Sequence, residues 1–187
     1  MDIKGEYRIS CDRQRVWEAL NDPAVLQECI PGCESLEMES ESRMHARIVA
    51  AIGPVKSRFD TRISLENLDP PQSYTLSGES KAGAAGFGRG SADVRLQETD
   101  GGTLLSYDAK FQVGGKLAQV GSRLVLGATR KMADDFFGNF SRALDSGATR
   151  TPGGDAASRS KGAIGRKTWI AVGLASLVLL IYWLLLR

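Results

Sequence analysis

Three groups of residues in this 187-residue chain are of types that do chemistry. The first is KAGAAGFGRG at positions 81–90. A Walker-type loop needs a lysine and a hydroxyl after its last glycine, to hold phosphate and magnesium. Here Gly83 and Gly88 are followed by Arg89 and Gly90, so both are missing. A dinucleotide loop must run from a strand into a helix, and SADVRLQE after Gly90 alternates like a strand instead. The glycines fit the other use of a missing side chain: close approach of backbones, a bend in a sheet, or a ligand lying against main chain. Phe87 then projects into a cavity or from its rim.

The second group is Cys29-Ile30-Pro31-Gly32-Cys33. Two thiols three residues apart, with His45 as the sole histidine and on the polar face of its strand, cannot furnish four zinc ligands, so no metal site is expected. Pro31 and Gly32 read as a tight turn, with the thiols as small apolar fillers. The third group, Lys131 and Asp135, lies on a long helix whose charged residues read as its solvated face. One histidine with no nucleophile beside it leaves no catalytic constellation.

The elements that position these residues are legible from periodicity. Ile3 to Ser10 is a short strand. Asp12 caps a helix carrying Val16, Trp17 and Leu20 on one face, and Pro23 closes it. Ala24 to Ile30 is a second short helix. Strand alternation then runs through Arg43 to Ile52, through Phe59, Thr61, Ile63 and Leu65, and through Ser73 to Ser80, Ser91 to Glu98 and Thr103 to Val113. Six antiparallel strands result. From Lys116 to Leu144, apolar residues at three- and four-residue spacing mark one amphipathic helix. A sheet with one apolar face and a helix with one apolar stripe bury each other, and a curved sheet leaves room for a cavity between them.

Composition limits the function classes. A net charge of +2, from 24 basic and 22 acidic residues, gives no field of the kind nucleic-acid binding uses. Three cysteines without a secretory signal argue for a reducing compartment. Residues 146–167 are rich in Gly, Ser, Ala and Thr, a linker whose coil dimension is about 25 Å. Residues 168–186 carry no charge and are long enough to cross a hydrocarbon core of about 30 Å. Trp169, Tyr182 and Trp183 sit at the ends of this anchor, where amphipathic rings favour the headgroups. Arg159, Lys161, Arg166 and Lys167 precede it and only Arg187 follows, which places the amino-terminal domain on the cytoplasmic side of the inner membrane.

LNDPAVLQECIPGCESLE, followed by AGAAGFGRGSADVRL, resembles the CoxG family of carbon monoxide dehydrogenase subunits, within the START and polyketide-cyclase superfamily. The resemblance covers residues 1–145. It implies an α+β helix-grip fold, a curved antiparallel sheet wrapped around a long C-terminal helix, to which composition adds a transmembrane helix. It also implies an accessory protein, not an enzyme, that brings a molybdenum hydroxylase of the carbon monoxide dehydrogenase type to the cytoplasmic membrane. Relatives are thought to hold a respiratory quinone, with no covalent cofactor. The expected cavity residues are Phe59, Ile63, Leu76, Phe87, Val94, Phe111, Leu124, Met132 and Phe136. Gly83, Gly86, Gly88 and Gly90 are the expected lid or loop. Pure recruitment without a ligand, and cyclase-like catalysis, are the competing readings.

Overall fold

A computed structural model describes residues 1–148. The expected linker from residue 149 on and the expected anchor at 168–186, with Trp169, Tyr182 and Trp183, lie outside the described residues. Among the described residues no helix is long and apolar enough to cross a membrane.

The chain opens with β1 (Asp2–Ile9), α1 (Arg13–Leu20) and α2 (Pro23–Cys29). Asp12 caps α1 by accepting from the Arg15 amide at 2.9 Å, and Asp22 caps α2 by accepting from Ala24 at 2.9 Å. Pro23 does not close the first helix; it opens the second, where its fixed φ suits the first turn and its missing N–H costs nothing. Then come β2 (Cys33–Ser40), β3 (Arg43–Ile52), β4 (Val55–Asp69), β5 (Ser73–Lys81), β6 (Phe87–Thr99) and β7 (Gly102–Gly114).

These seven strands form one antiparallel sheet in the order β1-β7-β6-β5-β4-β3-β2. The strand that periodicity does not announce is β2. It is an edge strand on which only Leu36 is buried, so its alternation is too weak to register. The expected single helix from Lys116 is two: α3 (Lys116–Gln119) and α4 (Ser122–Ala148), parted at Gly121, whose φ of 94° breaks the helical path.

One face of the sheet packs on α1, α2 and α4. Ile9, Val16, Trp17, Leu20, Leu26, Met44, Leu105 and Phe140 belong to this main core. A smaller cluster of Phe59, Ala82, Ala85 and Leu117 closes the end of the sheet near α3. The layout is the α+β sheet-and-helix arrangement expected of a helix-grip fold.

The CIPGC segment is the corner joining α2 to the sheet. Gly32 has φ 73°, and its carbonyl accepts from the Val49 amide at 2.8 Å. A side chain there would strike the Val49 carbonyl, so the corner demands glycine. Asn139 on α4 donates to the Cys29 carbonyl at 3.0 Å, tying the long helix to the same corner.

Candidate functional site: an apolar cavity between sheet and helix

Strand pairing fixes which side chains face α4. Ile63, Gly78, Gly90 and Phe111 form one cross-strand row, and Leu65, Leu76, Ala92 and Ala109 form the next. A further row runs Thr61, Ser80, Gly88 and Val113, and another brings together Tyr74, Val94 and Tyr107. The middle of this face therefore carries glycine, alanine or serine where a packed sheet would carry valine or isoleucine.

The small residues leave a cavity of about 580 Å³ between the sheet and α4. Its roof is α4, through Thr129, Met132, Ala133, Phe136 and Phe137, and Ile30 and Pro31 of the CIPGC corner border it. The volume falls within the range of pockets that bury small organic ligands, about 300–1,000 Å³. Glu79, Arg89, Lys110 and Gln112 also border it, but strand alternation aims their side chains at the opposite face, and they meet the cavity through main chain.

Of the expected lining residues, Ile63, Leu76, Val94, Phe111, Met132 and Phe136 border this cavity. Three others lie elsewhere. Phe59 belongs to the smaller cluster near α3. Phe87, 44% exposed, falls on the outer face because β6 begins there, four residues earlier than its alternation announces, and its ring covers Gly114. Leu124, 53% exposed, sits in the first turn of α4 over Gly53 in the β3–β4 turn.

The glycine stretch divides into two parts. Gly83 lies in a short 3-10 turn over Gly83–Ala85, and Gly86, with φ 118°, packs against the main chain of Gly114 and Gly115. Gly88 and Gly90 are laddered residues of β6, paired on both sides, and they form bare floor of the cavity instead of a lid.

Hydroxyls along the cavity are mostly partnered. Thr61 and Ser80 share a hydrogen bond at 2.8 Å, and Thr129 donates to the Val125 carbonyl at 2.9 Å. Tyr107 interacts with the Tyr7 hydroxyl, which donates to Asp134 at 2.6 Å. Tyr74 is different. It is 6% exposed, its ring meets Trp17 edge-on at 5.4 Å, and its hydroxyl has no hydrogen-bond partner among the described residues. Burial pushes its phenol well above the ordinary tyrosine range, so it stays protonated. In sequence Tyr74 only marks a strand, because a tyrosine in an alternating run reads as core.

The remaining chemical groups lie away from the cavity. His45 faces outward, with Nε2 3.1 Å from Asp60 Oδ2. Cys29 is buried, Cys11 and Cys33 are half-buried, and burial raises all three thiols. Among the described residues no group of three His, Cys, Asp or Glu side chains could hold a metal ion. A wider concavity of about 790 Å³ on the outer face of the same strands is lined by serines with Arg62, Glu79, Arg89 and Lys110, a surface suited to water.

Comparison with known proteins places this architecture. No curated protein matches the chain. A conserved protein from Geobacillus kaustophilus is 30% identical, with TM-score 0.74 over 78% of this chain and 96% of that one. A protein from Rhizobium leguminosarum is 14% identical, with TM-score 0.62 over 78% and 95%. The Zhui aromatase/cyclase from Streptomyces is 14% identical, with TM-score 0.60 over 83% and 99%. The last two share the fold alone. The family model for CoxG, a carbon monoxide dehydrogenase subunit, matches residues 5–145, which include the CIPGC corner, the bare glycine floor and most of α4. The chain belongs to the CoxG family of carbon monoxide dehydrogenase subunits.

Proposed function

We propose that this protein is a membrane-anchored accessory protein of a carbon monoxide dehydrogenase-type molybdenum hydroxylase, and that it carries a respiratory quinone or similar lipid between the bilayer and that enzyme. The observation that carries the ligand half is the bare-floored apolar cavity of about 580 Å³. An ordinary core fills such space, because an empty apolar void forfeits dispersion contacts. Here glycine and alanine stand side by side on neighbouring strands and keep it open.

Carriage imposes an energetic condition. Burial from water is worth about 25 cal/mol per Å², but a quinone tail in a bilayer is already out of water. The cavity must then compete with lipid through shape fit and specific polar contact. The apolar stretch at residues 168–186 supports tethering at the membrane, and the basic residues before it favour anionic headgroups and a cytoplasmic domain. Carriage is favoured over cyclase-like catalysis because the sole histidine faces outward and the charged side chains bordering the cavity point away from it.

The test is twofold. Quinone added to the full-length protein should raise its melting temperature in a dose-dependent way. Deleting residues 168–187 should release the dehydrogenase partner from membranes. An unchanged melting temperature contradicts carriage, and undiminished membrane recruitment contradicts anchoring.

A further inference from the structure

A buried hydroxyl with no partner weakens a fold, and phenylalanine would pack the same position without that loss. Tyr74 therefore invites a use for its oxygen. Its side chain stands on the cavity face of β5 beside Val94 and borders the cavity. Its side chain lines the cavity and keeps 6% of its surface accessible. The Thr61, Ser80 and Thr129 hydroxyls along the cavity already have partners.

We infer that Tyr74 is the polar anchor of the cavity, its O–H donating a hydrogen bond to a carbonyl or hydroxyl oxygen on an otherwise apolar ligand. The inference rests on the carriage reading and gives it a polarity. The raised phenol keeps the group a donor at every physiological pH. Gly78 lies four residues along the same strand, about 13 Å away at the usual rise. The ligand's oxygen thus sits against Tyr74 beside Trp17, and its apolar body runs along the glycine floor towards Ile63 and Phe111. A slender amphiphile with its acceptor oxygens at one end fits this geometry, as a quinone ring with its tail does.

The experiment compares 1,4-naphthoquinone with naphthalene, two rings of one outline that differ in their oxygens, by calorimetric titration of the full-length protein and of Tyr74→Phe. Tyr74→Phe should melt at the same temperature as the wild type or slightly higher, which establishes folding. It should bind the quinone about tenfold more weakly and naphthalene equally well. Equal loss of both ligands, or loss of neither, overturns the anchor while leaving carriage standing. If the wild type binds neither ring, the carriage reading falls and the anchor falls with it.

Discussion

Gly78 on β5 stands directly opposite Gly90 on β6, and both face α4, so no side chain crosses the centre of the sheet's inner face. The pair is asymmetric. A Cβ on Gly78 would approach the Arg62 carbonyl at 3.4 Å, an ordinary contact, whereas one on Gly90 would meet the Lys110 carbonyl at 2.5 Å. Gly88 is as open as Gly78, its nearest neighbour the Gln112 carbonyl at 3.8 Å.

Alanine should separate these roles. Gly78→Ala and Gly88→Ala should leave stability unchanged or raise it by up to about 1 kcal/mol, through lost freedom in the unfolded chain. Gly90→Ala should cost about 1–3 kcal/mol, because strand main chain must move. Urea melts of the three variants provide the check.

Occupying the cavity should abolish its use without harming the fold. In Gly78→Leu the new side chain projects over the floor into space that Met132 and Phe136 roof. Quinone retention should fall at least tenfold while membrane attachment stays as in the wild type, measured by lipid extraction of membrane-bound protein. Met132→Ala, which removes a wall, should weaken retention about tenfold. Phe87→Ala should not change it, since Phe87 lies on the other face.

The corner built on CIPGC predicts stability effects. Gly32→Ala forces a side chain onto the Val49 carbonyl at φ 73° and should cost about 1–3 kcal/mol. Asn139→Ala leaves the Cys29 carbonyl without its donor and should cost about 1 kcal/mol. Thermal melts of the two single variants test both values.

Alkaline pH should destabilise the protein in part through Tyr7. Burial, then the hydrogen bond to Asp134, holds its phenol above the ordinary value near 10, so the folded state keeps a proton that the unfolded state gives up. Its contribution is complete below pH 10 and is lost as pH rises beyond it. Tyr7→Phe should flatten the decline of stability between about pH 9.5 and 11 in urea titrations, and an unchanged slope would contradict this assignment.

Most of the architecture is legible in the sequence because Asp12 marks the start of the first helix and five of the sheet's strands alternate at the period their geometry demands, whereas the Asp22–Pro23 start of α2 reads as an ending. The edge strand β2 is hidden, since its position leaves a single buried residue in eight. The helices α3 and α4 merge in sequence, because apolar spacing continues across Gly121 and only the backbone angle reveals the break. That merger puts Leu124 in the cavity. The glycines resemble a lid because side-chain alternation cannot begin before side chains do. β6 starts at Phe87, and its first inner-face positions are Gly88 and Gly90. Tyr74 escapes notice for a related reason, because the absence of a partner is a property of three-dimensional packing.

The most direct test of the central claim is native mass spectrometry of full-length protein released gently from its own membranes. The wild type should carry one quinone or lipid per chain, and Gly78→Leu, equally abundant and equally folded, should carry none. A wild type free of any lipid-mass adduct, whose melting temperature added quinone does not shift, would contradict the claim that this cavity is kept open for a ligand.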